Sequence, residues 1–145
     1  MKKNYVVIDT NVLISAGIGQ NNFPSKIFRE IVFTNEIKIC ISAEILAEYE
    51  EVIVREKFAK YDGFKERATE LMEGIKKIAV FFVPKIKLDI LNDSDDNMFL
   101  EVALEAGANY IVTGNSKDFI MKEFRGTLIL TPKEFYEEWV SERMI

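Results

Sequence analysis

The chain has 145 residues, 48% apolar and 30% charged, proportions that fit one ordinary soluble domain, residues 1–145, and argue against wholesale disorder. Its formal charge is −5, with no histidine and one cysteine. Serine–histidine and cysteine–histidine catalysis, histidine-bearing zinc and thiolate clusters are therefore excluded, which leaves carboxylates, hydroxyls, lysines or a metal for any chemistry.

Lys2 and Lys3 precede an apolar stretch, but Asp9 and Asn11 interrupt it too early for a signal peptide. The first predicted strand is residues 5–8, and a helical pattern at 24–34 follows, opening on Pro24. A second strand at 37–41 contains Cys40, read as a buried core thiol in a reducing compartment. Helical patterns at 43–55 and 63–77 come next, then a strand at 79–83. A helix at 95–106, a strand at 110–113, a short helix at 116–121, a strand at 127–130 and a helix at 131–140 complete the series. The last helix has Thr131 as its cap and Pro132 in its first turn. The longest apolar run, residues 78–83, is far short of the roughly 20 residues that span a bilayer, so a cytoplasmic location is expected. Each strand is a nearly continuous Val/Ile/Phe/Tyr run, the pattern of strands covered on both faces. The repeated strand–helix alternation predicts an α/β domain with a parallel sheet between helical layers, and its ligand site lies beyond the carboxyl ends of the central strands.

Several residues at those ends are acidic. Asp9 follows the first strand directly, in Asp9-Thr10-Asn11, where a carboxylate, a hydroxyl and an amide can hold a cation or cap a following helix. Ser42 is a good N-cap for the helix whose apolar stripe is Ile45, Leu46, Tyr49, Val52 and Ile53. Glu48 and Glu50 flank that stripe, and periodicity does not choose between them. Asp93, Asp95 and Asp96 crowd the start of the helix at 95–106, three acids where a cap needs one, and their repulsion is relieved if a cation is shared. Thr113-Gly114-Asn115-Ser116-Lys117-Asp118 closes the fourth strand with a hydroxyl, a tight turn and a further acid. Oxygen donors without histidine or cysteine suit Mg²⁺ or Mn²⁺.

These four segments, in this order and spacing across roughly residues 3 to 135, resemble the PIN-domain family of metal-dependent ribonucleases, which includes VapC-type toxins of toxin–antitoxin pairs. The resemblance implies a three-layer α/β/α, Rossmann-like domain with a five-stranded parallel sheet in the order 3-2-1-4-5. It implies Asp9, Glu48, Asp96 and Asp118 as catalytic, metal-holding acids, with Asn11, Ser42, Thr113 and Asn115 as supporting hydrogen-bond partners. Related sequences often carry an acid where this chain has Asn115, so Asp118 is the available fourth carboxylate. The implied cofactor is Mg²⁺ or Mn²⁺, and the implied partners are single-stranded RNA, a cognate antitoxin protein and a second copy of the chain.

The net charge opposes a phosphate backbone, but four of the negative charges would face a cation. Residues 54–87 carry nine basic against five acidic side chains. Phe58, Tyr61 and Phe64 interleave with them, as base-stacking groups or as core. Two other readings compete. A haloacid-dehalogenase-like phosphatase would use Asp9 as nucleophile but needs an acid where Asn11 stands. A PIN-like fold can also be retained as a non-catalytic RNA- or protein-binding module.

Overall fold

The five apolar runs become parallel strands of one sheet, and a sixth short strand joins them. A computed structural model of the chain describes residues 4–114 and 121–143. The strands are β1 (Asn4–Ile8), β2 (Ile37–Ile41), β3 (Val80–Phe81), β4 (Tyr110–Val112), β5 (Glu123–Phe124) and β6 (Thr127–Leu130). Their order is β3-β2-β1-β4-β6-β5. The expected order 3-2-1-4-5 is kept, with the antiparallel β5 added at one edge. The addition is a two-residue hairpin: Arg125 and Gly126 both have positive φ (48° and 91°), the twist that matches flanking strands.

The central strand β1 pairs with β2 on one side and β4 on the other, and Val6, Val7 and Ile8 are wholly buried. Full burial explains why its sequence does not alternate. Cys40 is likewise buried on β2, and burial pushes its thiol up to about 12. At neutral pH its thiolate fraction is then on the order of 10⁻⁵. A thiol reagent such as DTNB should leave native protein unlabelled and titrate one thiol only after denaturation.

The helices are α1 (Thr10–Ile18), α2 (Phe23–Ile27), α3 (Ala43–Ile53), α4 (Phe64–Ile78), α5 (Asn97–Ala106) and α6 (Pro132–Arg143). Right-handed crossovers place the helices joining β1, β2 and β3 on one face, and α5, which returns from β3 to β4, on the other. In agreement, α1 packs against α2 and α4, while α5 packs against β1, β2 and β4. The expected helix at 24–34 is divided into α2 and a turn of π-helix, Phe28–Val32. Thr131 and Glu134 form a reciprocal capping box at α6, with N–H to oxygen distances of 2.9 and 3.1 Å. Gly107 ends α5 at φ +62°, a conformation that side chains disfavour. The expected helix at 116–121 lies almost wholly outside the described residues.

The sequence offers α1 only as a helix that Asp9 or Asn11 would cap, without a periodic pattern of its own. Its Val12, Leu13, Ile14, Ala16 and Gly17 are all buried, so the segment is enclosed rather than half exposed. Phe58, Tyr61 and Phe64 of the basic stretch are packing groups. Phe64 is buried with Ile14, Val52 and Ala68, Phe58 stacks on it at 5.3 Å, and Tyr61 leans on the same cluster. No helix among the described residues is long and apolar enough to cross a membrane.

Candidate functional site

In a strand–helix–strand unit with parallel strands, each helix starts on the sheet edge where the preceding strand ends. Asp9 follows β1, Thr113 follows β4, Glu48 lies in the second turn of the helix after β2, and Asp96 opens the helix after β3. All four therefore belong to the same edge of the sheet.

Asp9 is the best-anchored of them. Its amide donates to the Val112 carbonyl at 2.9 Å, which continues the β1–β4 ladder one residue beyond β1. Its side chain is 5% exposed. The Thr113 hydroxyl donates to Oδ2 at 2.7 Å, and Asn11 Nδ2 donates to the same oxygen at 3.2 Å. Asn11 in turn accepts the Gly114 amide on Oδ1 at 3.0 Å, so one amide side chain ties the Asp9 carboxylate to the loop after β4. A Cβ on Gly114 would stand 3.3 Å from that oxygen, so a larger residue there would push on Asn11. Asp9 occupies the N-cap position of α1 and makes no side-chain capping bond there.

The structure also separates the two glutamates that flank the α3 stripe. Glu50 is exposed and pairs with Lys76 at 3.0 Å, while Glu51 pairs with Arg55 at 2.7 Å and Glu44 with Lys87 at 3.2 Å. Glu48 is half-buried and accepts the Thr10 hydroxyl on Oε2 at 2.8 Å, which brings it to the residue beside Asp9. Tyr49 is fully buried, and its hydroxyl donates to the carbonyl of Ile8. Burial first, then the negative charges of Asp9 and Glu48, hold the Tyr49 phenol well above its ordinary range, so both carboxylates lie within electrostatic reach of it. Ser42 acts as the α3 cap: its Oγ accepts the Ile45 amide at 3.2 Å.

Asp96 is half-buried at the end of a 3₁₀ turn, Ser94–Asp96. Asp93 caps that turn by accepting the Asp95 amide at 3.0 Å, and Asp95 is exposed. Asn97 is buried and accepts the amides of Ile90 and Leu91 at 3.1 and 3.0 Å. One turn on, buried Glu101 accepts the Leu88 amide at 2.8 Å. Two polar side chains of α5 thus fasten the extended connection that leads to Asp96, a role that composition and periodicity do not reveal. Asn115 and Asp118 lie outside the described residues.

A family model for the PIN domain matches residues 5–117. The chain belongs to the PIN-domain family. This PIN domain is 34% identical over 142 residues to an uncharacterized protein of Methanocaldococcus jannaschii, MJ1680, covering 92% of this chain and 90% of that protein. Its fold is similar to a chain in the crystal structure of VapBC2 from Rickettsia felis bound to a DNA fragment from their promoter, with a TM-score of 0.56 at 18% identity. That match covers 88% of this chain and 98% of the other. With a PIN fold, the phosphatase reading of Asp9 falls away, as the position of Asn11 already argued.

The donors of this PIN domain fit a hard divalent cation: carboxylates, hydroxyls and amide oxygens, with no sulfur or imidazole among them. Among the described residues no three acids form a ready-made metal cage. Mg²⁺ commonly keeps several waters and takes one or two carboxylates from a protein.

Proposed function

We propose that this PIN domain is a Mg²⁺- or Mn²⁺-dependent endoribonuclease that hydrolyses single-stranded RNA, and that it is the toxin of a toxin–antitoxin pair. The observation that carries the reading is Asp9, a buried carboxylate at the end of the central strand, oriented by Thr113 and Asn11 and neighboured by the Thr10–Glu48 bond. Asp9 and Asp96 hold the cation directly, and Glu48 and Asp118 are further ligands or orient the attacking water. Ser42 sets the start of the helix that carries Glu48, and Asn115 is a further supporting hydrogen-bond partner of the acids. A bound Mg²⁺ or Mn²⁺ lowers the pKa of water and offsets charge that grows on the phosphate. The chain itself holds no histidine to take a proton from a ribose 2′-hydroxyl, so water is the better nucleophile. The VapBC2 likeness supports an antitoxin partner, and a homodimer is the expected assembly.

Attack by water breaks the bond from phosphorus to the ribose 3′ oxygen and leaves a 5′-phosphate and a 3′-hydroxyl. Attack by the 2′-hydroxyl would leave a 2′,3′-cyclic phosphate instead. Incubating the protein with an end-labelled single-stranded RNA should therefore give 5′-phosphate products, and EDTA should stop the reaction. Cyclic phosphates, or cleavage undiminished by EDTA, would overturn this chemistry. A second reading, a non-catalytic binding module, follows from Asn115 standing where related sequences often carry an acid. It predicts no heat of Mn²⁺ binding in calorimetry, whereas the nuclease reading predicts saturable binding.

A further inference from the structure

Two consecutive residues of α3 grip the two residues that flank Asp9. The Tyr49 hydroxyl donates to the carbonyl of Ile8, and Glu48 accepts the hydroxyl of Thr10 at 2.8 Å. We infer that these two bonds form a clamp that sets the separation of the Asp9 and Glu48 carboxylates, with Tyr49 and Thr10 as positioning residues. The inference rests on the reading of those acids as cation ligands.

The Tyr49 ring is wholly enclosed in the core, and a phenylalanine would fill that volume as well. Its hydroxyl therefore adds location more than packing. A buried hydroxyl needs a partner to offset its desolvation, and this one finds it 41 residues away in sequence. The partner is well placed to report on Asp9. The β1–β2 register runs from Asn4–Ile37 to Val6–Ile39, so Ile8 lies past its last rung, and Tyr49 of α3 bonds its carbonyl there. Apolar packing alone allows a helix to slide over a sheet by fractions of an ångström, whereas directional hydrogen bonds weaken steeply with misalignment. Because the two grips come from adjacent residues, rotation of α3 about its axis cannot preserve both. Ser42 caps the same helix by accepting the Ile45 amide, which fixes where α3 begins after β2.

The test is calorimetry of Mn²⁺ binding to the full chain for wild type, Tyr49→Phe and Thr10→Val, with the melting temperature of each recorded. Ile75→Val, a core truncation on α4 at a fully buried position, is the control for destabilisation alone. The clamp predicts that Tyr49→Phe and Thr10→Val each weaken Mn²⁺ binding by at least about fivefold, a threshold set at half the roughly tenfold lower end of outer-shell effects on metal sites. Ile75→Val should melt earlier and bind Mn²⁺ as wild type does. A Tyr49 hydroxyl that served stability alone would lower the melting temperature and leave the dissociation constant unchanged, and a change under fivefold in both variants overturns the clamp. If Tyr49→Phe does not fold, Thr10→Val alone decides by the same limit. Wild type that binds no Mn²⁺ overturns the proposed cation site and the clamp with it; wild type that binds, with both variants unaltered, overturns the clamp alone.

Discussion

Asp9→Asn should abolish both RNA cleavage and the Mn²⁺-induced rise in melting temperature while the metal-free protein keeps its fold. Asparagine has the same shape and retains an oxygen to accept the Thr113 hydroxyl, so the hydrogen bond at 2.7 Å can persist. What it removes is the charge at the carboxyl end of the central strand. In wild type, Mn²⁺ at a hundred times its dissociation constant should stabilise the fold by about 2.7 kcal/mol by mass action. For a domain of this size that is a melting-temperature increase of roughly 5–15 °C. The variant should show almost none of it, and cleavage should fall at least about a hundredfold, some 2.7 kcal/mol of transition-state stabilisation. Thermal scans with and without Mn²⁺ check the first part, and cleavage of end-labelled RNA checks the second. A full metal shift in Asp9→Asn would remove Asp9 from the ligand set even if cleavage were lost.

The sheet was legible in the sequence because its central strands are enclosed on both faces and read as unbroken apolar runs. The same enclosure concealed α1. Val12, Leu13 and Ile14 are consecutive and all buried, so no polar face marks the helical period. The hairpin of β5 and β6 was hidden for a different reason. Its first strand is only Glu123 and Phe124, too short for a periodic signal, and its turn uses Arg125 ahead of Gly126 rather than the usual asparagine or aspartate. Where the pattern was amphipathic, as in α4, the expected and observed bounds differ by a single residue at each end, 63–77 against Phe64–Ile78.

The placement of the candidate residues after the strands was legible in outline, and the bonds between them were not. Strand ends and helix starts can be read from apolar runs and caps, and these place Asp9, Glu48, Asp96 and Thr113 on one edge. Periodicity gives an angle on a helix wheel, which is too coarse to separate Glu48 from Glu50. Three-dimensional contact separates them, because Lys76 takes Glu50 and Thr10 takes Glu48. Tyr49 reads as one more member of the apolar stripe, and nothing local says that its hydroxyl reaches Ile8. Nor does the sequence say that Asn97 and Glu101 turn inward to hold the backbone ahead of Asp96. Such bonds join residues that only the fold brings together.

A truncation far from these acids should behave in the opposite way to Asp9→Asn. Phe28 is 1% exposed in the π-helical turn after α2, with its ring 5.8 Å from that of Phe33. Phe28→Ala removes the largest side chain of that region from a packed core, and the expected loss is about 3–5 kcal/mol, from lost apolar burial plus the cavity left behind. Against a typical total of about 5–15 kcal/mol, the variant should unfold at a distinctly lower urea concentration with its m-value unchanged. The Asp9, Thr113, Asn11 and Glu48 contacts do not involve this ring, so the variant that remains folded should bind Mn²⁺ as wild type does. Mn²⁺ at a hundred times its dissociation constant should therefore restore about 2.7 kcal/mol to Phe28→Ala, the same increment expected for the parent protein. Urea melts of Phe28→Ala with and without Mn²⁺ provide the measurement. A destabilised variant whose midpoint ignored Mn²⁺ would show that the core under α2 and the acidic edge of the sheet are energetically one unit, contrary to the separation that these contacts predict.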